Sequence, residues 1–142
     1  MIIQIIGLPC SGKTYTLEKL KKNFDQSFLK FFDISSNQAL PKKYDSAKIN
    51  IIESAQGLNI ETDYTIKLKV TSFLHKKNCK SRNYSLTASD ASFIDYYSTP
   101  SHFDVYSQKE LYKVLSLIIN CEIQNDSPRK SSYKNSFKEK FY

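Results

Sequence analysis

The chain opens with a strongly apolar segment, then a turn, and then apolar residues at helical spacing. Residues 2–6 are mainly isoleucine, residues 7–12 interrupt them, and Leu17, Leu20 and Phe24 follow with the period of a helix. Because isoleucines occupy neighbouring positions instead of alternating with polar residues, we expect a strand buried on both faces, as in the centre of an α/β sheet. The pattern therefore predicts a strand–turn–helix unit at the start of a parallel sheet.

Four further segments have the apolar pattern of strands: residues 28–33, 49–53, 64–70 and 102–106. The first two end in carboxylates, Asp33 and Glu53. Residues 64–70 alternate between apolar and polar side chains, which predicts a strand nearer the edge of the sheet. A short helix is predicted over residues 90–97, which Pro100 ends.

A second long helix is predicted to begin at Ser107. Ser107 and Glu110 have the S-x-x-E spacing of a capping box, in which each side chain satisfies a backbone N–H at the helix start. One apolar stripe then follows at helical spacing, formed by Leu111, Val114, Leu115, Ile118 and Ile119. We expect this stripe to face the core.

From residue 126 onward the chain is polar and basic. Five Lys and Arg residues against two acidic ones give residues 126–142 a charge of +3, out of +7 for the whole chain. Aromatic residues lie between these charges, so the segment is either a solvated tail or a surface for nucleic acid or another partner. We therefore expect a domain over residues 1–125 and a basic, flexible tail over residues 126–142.

Composition narrows the class of protein. A length of 142 residues suits one domain, and 40% hydrophobic against 25% charged residues is the balance of a globular chain. The three cysteines show no CxxC or Cys/His spacing, which indicates a reducing compartment without a disulfide framework or zinc site. Residues 1–6 resemble neither a secretory signal nor a membrane span, so a cytoplasmic location without membrane association is expected.

The clearest chemical signal lies between the first strand and the first helix. Residues 7–14 read GLPCSGKT, a complete G-x-x-x-x-G-K-[ST] or Walker A motif. Glycines let successive backbone N–H groups and the helix N-terminus face one phosphate, while the lysine adds charge and the hydroxyl of Thr14 can bind Mg²⁺. We expect Lys13 to be exposed at this loop. The predicted nucleotide-binding residues are Gly7, Pro9, Cys10, Ser11, Gly12, Lys13 and Thr14.

With this motif in place, residues 1–120 resemble the small nucleoside and nucleotide kinases of the P-loop class, such as uridine kinase, adenylate kinase and shikimate kinase. The resemblance implies a three-layer α/β fold with a five-stranded parallel sheet in the order 2-3-1-4-5. It makes Asp33, in FFDIS, the candidate base at the acceptor hydroxyl. Glu53, in INIIESAQG, loosely matches a position that lies near Mg²⁺ or the acceptor in these kinases, and Thr14 and Glu53 are the predicted metal ligands.

Arg82 lies in a Lys-rich segment after the fourth strand, where these kinases have a lid. The resemblance makes it a catalytic candidate beside Lys13 and Asp33. The segment is equally compatible with a solvated basic loop.

The sequence thus predicts an ATP- and Mg²⁺-dependent kinase that acts on a nucleoside or nucleotide-like small molecule. A GTPase is excluded because neither N-K-x-D nor D-x-x-G occurs in the chain. Two alternatives stay open: a polynucleotide 5′-hydroxyl kinase, which the basic tail and Lys-rich segment would suit, and a non-catalytic nucleotide-binding module that regulates a partner.

Overall fold

A computed structural model describes residues 1–7, 11–34, 43–55, 58, 60–69, 77, 80 and 99–125. Its strands, in chain order, are β1 (Ile2–Gly7), β2 (Leu29–Asp33), β3 (Ile49–Ser54), β4 (Tyr64–Leu68) and β5 (Phe103–Val105). Helix α1 (Lys13–Asn23) follows β1, a 3₁₀ turn (Gln26–Phe28) precedes β2, and helix α2 (Gln108–Asn125) follows β5. The predicted helix over residues 90–97 lies outside the described residues.

The five strands form one sheet in the order β2-β3-β1-β4-β5, and every neighbouring pair is parallel. This confirms the predicted α/β class and strand order. The register places Ile3 beside Ile51 of β3 and Tyr64 of β4, and it places Asp33 beside Glu53. Because the strands are parallel, their carboxyl ends lie at one edge of the sheet, where ligands bind in open α/β folds.

One face of the sheet packs against both helices. Ile3 and Ile5 of β1 lie in a single buried cluster with apolar residues of the neighbouring strands and of both helices. The predicted helical stripe on α2 is confirmed. Leu111, Leu115 and Ile119 are fully buried, and the two other members, Val114 and Ile118, are partly buried against the core. Helices α1 and α2 also contact each other, so they lie on the same side of the sheet.

The opposite face of the sheet carries buried polar side chains. Gln4 is 1% exposed, and its amide group both donates to and accepts from the backbone of Leu58, at 3.4 and 2.9 Å. As predicted, β4 lies towards an edge, with only β5 outside it. The polar residues of its alternating pattern, Thr65 and Lys67, are nevertheless buried.

The start of α2 forms a modified capping box. Ser107 Oγ accepts a hydrogen bond from the backbone N–H of Glu110 at 3.1 Å, as predicted. The Glu110 carboxylate reaches back to the N–H of Tyr106, at 2.9 Å, one residue before the capping serine. Neither α2, with its 18 residues, nor any other helix in the described ranges is long and apolar enough to cross a membrane.

Candidate functional site

The loop between β1 and α1 depends on its two glycines. Gly12 has a φ of 99°, in the left-handed region that favours glycine, and it immediately precedes α1. A Cβ atom at Gly7 would lie 2.7 Å from Ser11 Oγ and 3.0 Å from Lys13 Cδ, so any other residue there would require these side chains to move. No side chain caps the N-terminus of α1, and its first turn contains no acidic residue. The backbone N–H groups of this turn therefore have the polarity that attracts an anion.

Lys13 is buried, and the expectation that it would be exposed is wrong. Its side chain is 5% exposed, and Nζ donates a hydrogen bond to the carbonyl oxygen of Gly7. The reason is the missing side chain of Gly7, because a Cβ there would approach the Lys13 Cδ and Cγ atoms to 3.0 and 3.1 Å. The lysine stem therefore lies along the end of β1, with its ammonium group at the phosphate loop.

Thr14, in the first turn of α1, connects the loop to the carboxyl end of β3. Its Oγ1 donates a hydrogen bond of 2.8 Å to Glu53 Oε1. Burial raises the pKa of Glu53, and the negative charge of the neighbouring Asp33 adds to the increase. The hydrogen bond from Thr14 and the positive charges of Lys13 and Lys21 act in the opposite direction. Two carboxylates and a hydroxyl thus converge at the edge of the sheet.

These oxygen atoms fit a hard divalent cation. Hydroxyl and carboxylate oxygens are the ligands that Mg²⁺ takes from proteins, together with water and substrate phosphates. Within the described residues no group of three His, Cys, Asp or Glu side chains could hold a metal by itself. Thr14 and Glu53 therefore suit an ion that is shared with phosphate rather than one held in a closed protein cage.

A cavity of about 180 Å³ lies beside the Thr14–Glu53 pair. It is lined by one face of α1 and by the ends of β2 and β3, through Thr14, Leu17, Glu18, Lys21, Phe31, Phe32, Asp33 and Glu53. Lys21 Nζ lies 3.2 Å from a Glu18 carboxylate oxygen and 4.9 Å from the centre of the Phe31 ring. The structure therefore brings both predicted carboxylates to one pocket next to the loop.

The sequence reasoning missed several residues of this site, among them Glu18 and Lys21. These two share one helix face with the predicted residues Thr14 and Leu17, so the motif and the helical period together could have placed them beside the loop. Gln108 was also missed. A Cβ at Gly12 would lie only 1.9 Å from its Nε2, so Gln108 packs directly on the loop, and no local pattern indicates this contact.

Of the predicted site residues, the structure describes Gly7, Ser11, Gly12, Lys13, Thr14, Asp33 and Glu53, which lie together. Pro9, Cys10 and Arg82 lie outside the described residues, as does the basic segment 126–142. In the predicted lid, Lys77 and Lys80 are described, and both are exposed.

The strand order and the G-x-x-x-x-G-K-T loop between β1 and α1 define an α/β fold of the P-loop type. The sequence matches no family model and no curated protein. Among solved structures it is similar to shikimate kinase from Aquifex aeolicus, with a TM-score of 0.47 and 15% identity over 88% of this chain and 99% of that chain. A similarity this distant does not assign a function to the chain. The function has to be inferred from the residues of the chain itself.

Proposed function

We propose that this protein is an ATP- and Mg²⁺-dependent phosphotransferase that acts on a nucleoside or a nucleotide-like small molecule. The observation that carries the proposal is the 2.8 Å hydrogen bond between Thr14 and Glu53, next to Lys13 in a complete phosphate-binding motif. A hydroxyl and a carboxylate from separate elements meet there in the arrangement that a nucleotide-bound divalent ion requires.

Each residue has a distinct part in this proposal. The loop residues and the N-terminus of α1 bind the phosphates of ATP, and Lys13 contributes its charge to them. Thr14 and Glu53 would hold Mg²⁺, which would supply positive charge to neutralise the phosphates of ATP. Asp33 lines the adjoining cavity, where it orients the acceptor hydroxyl and takes its proton. Arg82 is the proposed cation of the lid, and residues 126–142 are proposed to be separate from the folded unit.

Nucleotide binding is tested by calorimetric titration of ATP with Mg²⁺. Lys13→Met is expected to weaken binding at least tenfold, because it removes the only charged group of the motif. Lys22→Met, at an exposed position of the same helix, is the matched control and should bind ATP like the wild type. Equal ATP affinity of Lys13→Met and the wild type would refute the proposal.

Transfer is tested by measuring ADP formation with nucleosides, nucleoside monophosphates and an oligonucleotide with a free 5′-hydroxyl. With a hydroxyl acceptor, Asp33→Asn should lower kcat by about 10²- to 10⁴-fold while ATP affinity is preserved, as expected for loss of a general base. Asp25→Asn, at an exposed position before β2, is the control. ATP binding without ADP formation on any acceptor would indicate a non-catalytic module instead.

A further inference from the structure

We propose that the cavity between α1 and β2 selects an uncharged hydroxyl compound with an apolar ring face, such as a nucleoside, and disfavours a phosphorylated or carboxylated acceptor. This inference rests on the proposed phosphotransferase function. Of the two acceptor classes in the proposed function, nucleosides and nucleotides, it favours the nucleosides.

The charges that line the cavity carry the inference. Among its described lining residues are three carboxylates, Glu18, Asp33 and Glu53, and one ammonium group, Lys21. Because Glu53 is assigned to Mg²⁺ in the proposed function, Glu18 and Asp33 face the acceptor against Lys21, which gives a formal charge of −1. An anionic group entering this space would face the like charges of the half-buried Asp33 and of the exposed Glu18, and the repulsion from Asp33 is screened less than in water. A hydroxyl group carries no such penalty and can donate a hydrogen bond to a carboxylate.

The single lysine does not offset this balance. Its Nζ lies 3.2 Å from Glu18 Oε1 and 4.9 Å from the centre of the Phe31 ring. A phosphate that approached Lys21 would therefore also approach the Glu18 carboxylate. Among the described lining residues, the one cation therefore has a carboxylate beside it that repels an anionic ligand, which is a form of selection against the wrong ligand.

The remaining surface of the cavity suits a small ring. Leu17, Phe31 and Phe32 provide apolar and aromatic contacts, while Asp33 provides the hydrogen-bond acceptor. The volume of about 180 Å³ is below the roughly 300 Å³ at which pockets for drug-sized ligands begin. This space accommodates one ring-sized group, such as a pentose that presents its hydroxyl to Asp33, while the rest of the acceptor extends outwards.

The experiment compares each of several nucleosides with its own 5′-monophosphate as acceptor, with ADP formation as the readout. We expect kcat/KM for the nucleoside to exceed that for the monophosphate at least tenfold. The Glu18→Gln variant, which leaves Lys21 without its carboxylate neighbour, should reduce this ratio at least threefold. Glu122→Gln on α2, which is not among the residues lining the cavity, should leave the ratio unchanged.

Equal or better use of the monophosphates by the wild type would overturn the inference. An unchanged ratio in Glu18→Gln would also overturn it, because the selectivity would then have another origin than charge. If ATP binds but no acceptor is phosphorylated, the proposed function fails separately. Calorimetric titration of nucleosides and monophosphates into the protein with Mg²⁺ and a non-hydrolysable ATP analogue then still measures the selectivity of the cavity, and the absence of any nucleoside binding would count against it.

Discussion

A methyl group added at Gly12 tests the phosphate loop at the point where α2 contacts it. Gly12 has a φ of 99°, and a Cβ atom there would lie 1.9 Å from Nε2, 2.8 Å from Cδ and 2.9 Å from Cγ of Gln108. The Gly12→Ala variant therefore meets two separate obstacles. One is the backbone conformation, and the other is the Gln108 side chain, which would have to move.

The two costs can be estimated separately. Holding an alanine in the left-handed region costs about 1–2 kcal/mol. Displacing a packed side chain costs about 1–3 kcal/mol, while the reduced freedom of the unfolded chain returns roughly 0.4–1 kcal/mol. Gly12→Ala should therefore lower the free energy of unfolding by about 1–5 kcal/mol. In a Gln108→Ala background only the conformational cost remains, so the loss should fall to about 0–1.5 kcal/mol.

Urea denaturation of the wild type, both single variants and the double variant measures these costs, provided that the m-value stays constant. We expect a coupling free energy of about 1–3 kcal/mol between the two positions, above the roughly 0.5 kcal/mol typical of independent sites. Additive effects would refute the contact between Gln108 and Gly12. A Gly12→Ala change that stabilises the Gln108→Ala background would refute the left-handed conformation of Gly12.

Three further predictions concern other parts of the molecule. Burial raises the pKa of Glu53, so the folded protein holds that proton more tightly than the unfolded chain, and stability falls as pH rises through the raised pKa. Glu53→Gln should therefore be more stable than the wild type at pH 7, and urea denaturation should show that this advantage shrinks towards pH 4. A difference in the free energy of unfolding that stays constant with pH would contradict the raised pKa of Glu53. Gln4→Met leaves the Leu58 N–H without its partner, whereas the Leu58 carbonyl keeps its hydrogen bond from the Ile60 N–H, so the substitution should cost about 1–3 kcal/mol and speed hydrogen exchange at the Leu58 amide. Unchanged exchange would refute this role of Gln4. Ser107→Ala should cost about 1 kcal/mol in thermal unfolding whereas Ser107→Asp should cost less, and equal losses would argue against capping of Glu110.

Strands β1 and β3 were predictable because their isoleucines occupy adjacent positions, a pattern typical of strands buried on both faces, and β4 was predictable from its alternation of apolar and polar residues. The ends of the strands were predicted less accurately. The second strand starts at Leu29 and not at residue 28, because Gln26–Phe28 form a 3₁₀ turn in which Asp25 accepts a hydrogen bond from the N–H of Ser27 at 2.9 Å. Such a turn depends on a local competition between side chain and backbone that an apolar pattern does not reveal.

The site was predictable where it follows from a motif or from strand ends. Asp33 and Glu53 lie beside each other because parallel strands end at one edge. The burial of Lys13 and the position of Gln108 depend on contacts with the backbone of other elements, at Gly7 and at Gly12. The spacing of residues along the sequence does not indicate these contacts. The same holds for Gln4, whose polar side chain in a buried strand is satisfied by the backbone of Leu58.

The central position of β1 has a consequence for how the protein reaches its native state. Its residues are synthesised before either neighbour, since Ile2 pairs with Asn50 and Ile3 pairs with Tyr64. Until β3 and β4 exist, an isoleucine-rich strand has two unsatisfied edges, which is the kind of segment that associates with other chains. Pairings between such distant residues also form slowly. Refolding from denaturant should therefore compete with aggregation, with a yield that falls as protein concentration rises, and chaperones that shield an extended apolar strand should restore it.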